Sequence, residues 1–232
     1  MKGKRAFKMT TDNYTYEKIV ESDIDKAKKF ELALGGAKRV VLEGCEGEKF
    51  RIRLASDTLS AIENNLVVKV DDVRRGMDVE VSRSEEVSEI SLKEGLVIFV
   101  QLPAKYVRKA ELSVNAETVE ICSLECDSIE LNVRANNVVI DGVAGAVEID
   151  CSLDLNVDCR DLKGEIAINQ VSAASRICVP ESMAFTAVTK GIGTHIYYEK
   201  DGKSAAAFDS PKAENVIELN GMKSELTICT SK

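Results

Sequence analysis

The sequence of 232 residues has no tryptophan, a single histidine and only 5% aromatic residues. Carbohydrate-binding grooves usually rely on aromatic rings that stack on sugar faces, so this scarcity argues against a lectin or a polysaccharide enzyme. The single histidine, His195, argues against a histidine-dependent catalytic triad and against a multi-histidine metal site. Three prolines and fourteen glycines leave no room for a long disordered linker.

Basic residues are outnumbered, since 31 Lys and Arg face 39 Asp and Glu for a formal net charge of −8. The nearest approach to a basic cluster is residues 1–8, so we expect no nucleic-acid partner. No stretch approaches the roughly 20 apolar residues that span a bilayer, and no apolar segment follows the basic N-terminus. We therefore expect no direct membrane insertion and no signal peptide.

The seven cysteines are odd in number and irregularly spaced: Cys45, Cys122, Cys126, Cys151, Cys159, Cys178 and Cys229. This pattern predicts free thiols in a reducing compartment and hence a cytoplasmic protein. The alternative is the cell envelope or cell surface, if an export segment precedes this sequence. Cys122 and Cys126 lack the second close pair that a structural zinc site usually has, so we expect neither a metal nor a cofactor.

Self-similarity is the most informative feature of the chain. From residue 119 onward, two aliphatic residues separated by one residue recur at intervals of 8 to 11 residues. The pairs are Val119/Ile121, Ile129/Leu131, Val138/Ile140, Val147/Ile149, Leu155/Val157, Ile166/Ile168 and Ile177/Val179. Alternation of period two indicates half-buried strands, and the linkers, such as Ala135-Asn136-Asn137 and Val143-Ala144-Gly145, are mostly too short for a crossover helix.

Short strands with small polar corners favour an all-β fold of the parallel β-helix or β-solenoid type, in which each coil stacks on the previous one. The alternative is an antiparallel sandwich. We divide the chain into an N-terminal extension at residues 1–30, a less regular β-rich part at 31–104 and solenoid repeats at 105–232. Residues 31–232 are expected to form one continuous domain. Residues 11–30 carry apolar side chains at spacings of three and four, which predicts one short amphipathic helix.

Residues 111–180 resemble the bacterial putative-adhesin domain family of uncharacterised function. The resemblance rests on aliphatic-x-aliphatic strands with small corners, as in Ser128-Ile129-Glu130-Leu131-Asn132, and on strands that end in Pro103 and Pro180. It implies stacked β-helix coils and a non-enzymatic binding or scaffold module linked to cell-envelope adhesion or stress sensing. The alternative function is a carbohydrate-active β-helix enzyme, a lyase or a glycosidase.

Acidic residues between the inward pairs are the only candidates for a functional face. They are Glu120, Glu130 and Glu148, with Asp150, Asp154 and Asp158 close by. Glu130 and Glu148 are expected to lie one coil apart, at about 5 Å, where carboxylates could bind Ca²⁺ or act as paired catalytic acids. The simpler interpretation is a charged, solvated face. We therefore assign no catalytic, cofactor or metal residues and keep Glu130, Glu148 and Asp150 as candidates for an acidic face.

The partner expected from this sequence is a protein or a glycan that the side chains do not identify. An exposed terminal coil could also pair edge to edge with a second copy, giving a homodimer through the solenoid ends. The C-terminal strand at residues 225–229 would prevent this if it capped the stack.

Overall fold

The computed structural model describes residues 13–60, 62–199, 203–204 and 213–231. Its strands are β1 (Tyr16–Asp23), β2 (Lys28–Cys45), β3 (Lys49–Ser56), β4 (Leu66–Asp72), β5 (Gly76–Arg83), β6 (Val97–Pro103), β7 (Val107–Cys122), β8 (Glu125–Arg134), β9 (Asn137–Asp141), β10 (Val143–Cys151), β11 (Asn156–Cys159), β12 (Leu162–Val171), β13 (Ala174–Pro180), β14 (Phe185–Ile192), β15 (His195–Tyr198), β16 (Lys203–Ser204), β17 (Asn215–Met222) and β18 (Glu225–Ser231). The predicted all-β class is confirmed.

Helical structure in the described residues is limited to α1 (Ile62–Asn65), α2 (Glu89–Gly95) and a 3₁₀ turn at Ala104–Tyr106. The helix predicted for residues 11–30 is wrong, because β1 occupies Tyr16–Asp23 and pairs antiparallel with β3; residues 11–12 lie outside the described residues. Pairing along the whole of β1 outweighs the weak helical spacing of its apolar residues, since tertiary context readily overrides helix propensity.

Two long strands divide the fold into two ladders. The first halves of β2 and β7 pair with each other and then, in order, with β8, β10, β12 and β17 in what we call the first ladder. Their second halves start the second ladder, which continues through β9, β11, β13 and β18. Every pairing that the described residues make within β7–β13 is parallel, and each joins alternate strands except the pairing of β7 with its immediate successor β8. The antiparallel arrangement is therefore wrong for this region.

The N-terminal part adds antiparallel strands to both ladders. In the first ladder, β5 pairs parallel with β2 and antiparallel with β4. In the second ladder, β6 pairs parallel with β2 and antiparallel with β3, which pairs with β1. Strand β2 passes from one ladder to the other without a break, because Gly35 takes a φ of 66° at a register shift between Ala33 and Gly35.

All seven predicted aliphatic pairs point inward. Each of their fourteen side chains is 3% exposed or less, and they belong to one hydrophobic cluster that runs from Ile24 to Ile228. Burial of such a side chain contributes about 1.5–3 kcal/mol, so this shared core holds the strands of the two ladders together. The predicted strand ends at Pro103 and Pro180 are also confirmed.

Several of the short connections between strands depend on residues with left-handed backbone. Ser123, Gly142 and Ser172 have φ values of 51°, 68° and 54° and connect β7 to β8, β9 to β10 and β12 to β13. Residues 143–145, which we expected to form a corner, instead begin β10. The corner lies at Gly142, immediately before them.

The last two strands do not lie at the end of the stack. Strand β17 pairs parallel with β12 on one side and with β14 on the other. Strand β18 likewise lies between β13 and β15. The C-terminal strand thus lies between β13 and β15, so residues 225–229 do not cap the second ladder.

Candidate binding face

Six carboxylates from six neighbouring strands lie in one row on the outer side of the first ladder. Asp71 of β4 is opposite Asp78 of β5, which neighbours Glu31 of β2. Glu31 is in register with Glu111 of β7, and the row continues through Glu130 and Glu148. We call these six residues the acidic ladder.

Alternation along each strand produces this row. The residues on either side of Glu130, Ile129 and Leu131, are buried in the core, so the glutamate must point outward. Because parallel strands lie about 4.8 Å apart, successive carboxylates of the ladder are held at a regular, close spacing. The structure places Glu130 directly opposite Glu148, and Asp150 next to this row, opposite Asn132.

The charges of the acidic ladder are compensated unevenly. The ammonium group of Lys29 lies 2.5 Å from Glu111 Oε1 and 3.0 Å from Glu31 Oε1. Hydrogen bonding to Lys29 lowers the pKa of Glu111. Burial, followed by the hydrogen bond with Glu111 and the charges of Glu111 and Glu148, raises the pKa of Glu130. Of Glu111 and Glu130, Glu130 is therefore the one whose charge an added cation would relieve.

An amide joins the end of the row to Asp150. Asn169 of β12 donates from Nδ2 to Glu148 Oε1 at 2.6 Å and to Asp150 Oδ1 at 2.7 Å. In the register of the ladder Asn169 is opposite Asp150, while Ala167 is opposite Glu148. The carboxylate row therefore stops at β10, and its last member is fixed by a neutral donor.

A groove runs along the N-terminal half of this face, with a cavity volume of about 520 Å³. The β4–β5 hairpin lines one part with Lys69, Asp71, Asp78 and Glu80, and the repeat strands line the other with Glu111, Glu130 and Asp150. Most of these side chains are acidic, so a cation, or a ligand that carries one, matches the groove in charge.

The other acidic candidates lie elsewhere. Glu120 is on the second ladder, where it accepts two hydrogen bonds from Arg39 at 2.7 and 2.8 Å. Asp158 pairs with Arg160 at 2.8 Å, also on the second ladder. Asp154 accepts a hydrogen bond from the backbone N–H of Ala174 at 2.7 Å. These three residues are occupied by local contacts and are not members of the acidic ladder.

The cysteines fall into two groups. Cys178 and Cys229, opposite each other on β13 and β18, form a disulfide, so the prediction of free thiols is wrong for this pair. The other five are free. Burial raises the pKa of Cys122 and Cys159 to about 12 and of Cys126 and Cys151 to about 11. These four thiols are protonated at neutral pH and are therefore poor nucleophiles.

Metal-binding geometry is not found in the part of the chain that the structure describes, where no three His, Cys, Asp or Glu side chains converge as metal ligands. His195 is exposed at the first position of β15. In the same ranges, no helix has the length and apolarity to cross a bilayer.

Sequence reasoning identified two members of the acidic ladder and missed four. Three of the missed residues share the local pattern of an acid between two buried apolar residues: Phe30-Glu31-Leu32, Met77-Asp78-Val79 and Ala110-Glu111-Leu112. A search for this triplet would have found them. Asp71 lacks the pattern, and only its pairing with Asp78 brings it into the row.

No protein-family model matches the chain, and no curated protein matches it significantly. Solved structures that are similar to it include a putative cell adhesion protein from Clostridium sporogenes ATCC 15579, at 17% identity and a TM-score of 0.45, covering 93% of this chain and 99% of that chain. A putative adhesin from Bacteroides fragilis NCTC 9343 is 11% identical with a TM-score of 0.36, covering 94% and 98%. A putative lipid binding protein from Parabacteroides distasonis ATCC 8503 is 11% identical with a TM-score of 0.31, covering 94% and 98%. The first two names agree with the resemblance drawn from the sequence, and at these TM-scores the similarities carry no argument about function.

Proposed function

We propose that this chain is a non-enzymatic binding module whose contact surface is the acidic ladder. The observation that carries the proposal is the register of six carboxylates across six neighbouring strands, Asp71 to Glu148. A row of like charges weakens the sheet that displays it, because like charges directly opposite each other are destabilising. A partner that neutralises the row recovers that free energy on binding.

The architecture proposed with this function is a parallel β-solenoid, in which each coil contributes one strand to each ladder. The alternation of the pairings supports it, since β8, β10 and β12 join the first ladder and β9, β11 and β13 join the second. A solenoid presents equivalent positions at a constant spacing, and this geometry suits recognition of an extended partner. A crystal structure in which β7–β13 do not wind as successive coils would contradict this architecture.

The partner proposed for the acidic ladder is a Lys- or Arg-rich segment of another protein. Only Glu31 and Glu111 of the ladder contact Lys29, while the pKa of Glu130 is raised by burial and by its acidic neighbours. An ammonium or guanidinium group at Glu130 would remove this repulsion and form a charge-assisted hydrogen bond. Binding of this kind should weaken as salt screens the charges.

The test measures binding of fluorescently labelled Lys-rich and Arg-rich peptides to three proteins by anisotropy. The first is the unchanged chain, and the second carries Glu111→Gln, Glu130→Gln and Glu148→Gln. The matched control carries Glu46→Gln, Glu86→Gln and Glu117→Gln, which removes the same charge from exposed sites outside the ladder. We expect the affinity to fall at least tenfold in the ladder variant, equivalent to about 1.4 kcal/mol, and to change little in the control. Equal losses in both variants would mean attraction to net charge alone and would reject the ladder as a binding surface.

A glycan array run beside the peptide assay separates this function from the carbohydrate-active alternative. Turnover of a glycan that disappears in Glu130→Gln or Glu148→Gln would overturn the non-enzymatic proposal. Glycan binding without turnover, lost in the ladder variant, would keep the binding module and reject the basic protein segment as its partner.

The location that we propose is the cell envelope. The cytoplasmic interpretation rested on unpaired cysteines, and Cys178–Cys229 is a disulfide, a bond that persists mainly in oxidising compartments. Cell fractionation with antibodies against the native protein tests this. Recovery of the chain in the cytoplasmic fraction with both thiols reduced would contradict it.

A further inference from the structure

The C-terminal strands β17 and β18 occupy a place that chain order would give to β14 and β15. The chain leaves β12 and β13, builds β14 and β15 one layer further on, and then returns to fill the intervening layer. We call β17 and β18 together the insert, and the layer that they fill the slot. The slot is therefore completed only after both of its walls have been made.

The insert supplies core side chains to the wall formed by β12 and β13. Ile217 and Leu219 of β17 are fully buried, opposite Ile166 and Ile168 of β12. Ile228 of β18 is 1% exposed, opposite Ile177 of β13. Without the insert, these wall residues would face solvent along open strand edges, which readily pair with another chain. The slot thus requires a segment of this particular sequence and register.

Besides its strand pairing, the insert has a disulfide bond to the wall formed by β12 and β13. Cys178 of β13 and Cys229 of β18 are opposite each other and joined as a disulfide, 51 residues apart in the sequence. Cys178 lies between the buried Ile177 and Val179, so alternation along the strand points its side chain to the outer side of the second ladder. It is half-buried there, whereas Cys229 is 4% exposed. The bond therefore lies where it can be opened in the folded protein.

We propose that the insert is a redox-latched segment that a second copy of the chain can supply. While Cys178–Cys229 is intact, each chain fills its own slot. After a dithiol has reduced the bond, the insert can leave, and the same segment of a second copy can enter, because it has the same sequence and the same register. Reoxidation by a small-molecule disulfide, which is itself reduced to two thiols, then joins the two copies covalently.

The redox step is an ordinary thiol–disulfide exchange. A thiolate of the dithiol attacks one cysteine sulfur, the S–S bond breaks, and the other cysteine leaves as a thiolate that takes up a proton. The second thiol of the reductant then displaces the first cysteine from the mixed disulfide, and that cysteine is also protonated. Two electrons and two protons pass from the dithiol to the protein, which gives two cysteine thiols and an oxidised cyclic reductant.

The test uses equal amounts of ¹⁵N-labelled and unlabelled protein without any substitution. One sample is treated with dithiothreitol under native conditions and then reoxidised with glutathione disulfide, and the other is left oxidised. Mass spectrometry follows only the linked peptide that contains Cys178 and Cys229. We expect hybrid peptides, labelled on one side only, to rise from none in the oxidised sample to the share given by random re-pairing in the reduced sample.

Same-isotope peptides alone, after alkylation has verified full reduction, would overturn the proposal, because the insert would then have stayed in its own slot. Hybrid peptides in the oxidised sample would contradict the proposal that reduction of the disulfide is needed before copies exchange the insert. A second experiment mixes the Cys178→Ser and Cys229→Ser variants, neither of which can close its own bond. If copies exchange the insert, the remaining Cys229 of the first variant and the remaining Cys178 of the second should form a covalent heterodimer. Each variant incubated alone is the control, because it shows any covalent dimer that the other five thiols form.

Discussion

The repeat strands β8–β13 and the insert reach neighbouring positions in the two ladders by different routes. In β8–β13, neighbours in a ladder are close in sequence, as with Glu130 and Glu148. In the insert, Ile217 pairs with Ile166 on one wall and with Ala187 on the other. The short sequence separation between paired strands favours one register in β8–β13, whereas the insert pairs with strands that are much further away in the sequence, and such contacts cost more entropy to close. The insert also has a local device of its own, the Cys178–Cys229 disulfide. Close-fitting glycines occur in both regions, at Gly145 and Gly164 as well as at Gly221.

The largest expected effects come from buried isoleucines in the two regions. Ile149 in β10 and Ile217 in the insert are both fully buried, so replacing either by alanine should lower the free energy of unfolding by about 2–5 kcal/mol. Chemical denaturation measures this loss. The two variants should differ in amide hydrogen exchange: Ile149→Ala lowers protection throughout the middle strands, and Ile217→Ala lowers it mainly in β14, β15 and the insert. Identical exchange patterns would show that the insert is not a separate unit.

Opening the disulfide comes next in expected size. A bond that closes a loop of this length contributes roughly 2–4 kcal/mol, mainly by restricting the unfolded chain. The Cys178→Ser/Cys229→Ser double variant should lose that amount, and reduction of the unchanged protein should give the same shift in denaturation midpoint. The matched control is Cys126→Ser, a half-buried free thiol on β8, and its loss should be smaller.

Glycine contacts in the insert give a third comparison. Gly221 has a φ of 149°, and a Cβ at this position would overlap the backbone carbonyl of Gln170 on the neighbouring wall. Gly221→Ala should therefore cost about 1–3 kcal/mol through backbone strain, with a further cost from the overlap. Its effect should appear in the insert, as increased exchange of copies in the isotope experiment. Gly47→Ala is the control, because the space around Gly47 is open enough for a methyl group and its φ is not positive.

The smallest expected effects come from two members of the acidic ladder, Glu130 and Glu111, whose replacement should change the stability of the protein in opposite directions. The pKa of Glu130 is raised in the folded protein, so its charged form is destabilising once the pH rises through that value. Glu130→Gln should therefore stabilise the protein at pH 7 by about 0.2–1 kcal/mol. Relative to the unchanged protein, this gain should disappear below the pKa of an unfolded glutamate, about 4.3.

Glu111→Gln should have the opposite effect. The pKa of Glu111 is lowered by Lys29, so its contribution to stability is present above the unfolded pKa and is lost as the pH falls through the folded value. The variant should be less stable at pH 7 by up to about 1 kcal/mol, since the pair is partly exposed. Denaturation of both variants at pH 7 and pH 3 measures the two changes in stability. Changes in the same direction at pH 7 would contradict the proposal that Glu111 is stabilised by Lys29 and Glu130 is destabilised by its acidic neighbours.

Much of the repeat region could be predicted from the sequence, because side-chain alternation along a strand is a local property. The pairs from Val119/Ile121 to Ile177/Val179 are all buried, as their period of two requires. The outward direction of Glu130 and Glu148 follows from the same alternation. Residues 11–30 were assigned to the wrong element because a short strand with mixed polarity carries little periodic signal, and its pairing with β3 lies in the tertiary structure.

Sequence by itself therefore determined which side chains of the repeats face the core, whereas strand boundaries were less well determined, since residues 143–145 begin β10. Tertiary structure decided which strands become neighbours. Asp78 and Glu31 join the row that contains Glu148 only because β5 and β2 extend the first ladder. Cys178 meets Cys229 only because the insert enters between β13 and β15. Alternation is set by bonds within one strand, whereas register between distant strands depends on core packing that no single segment contains.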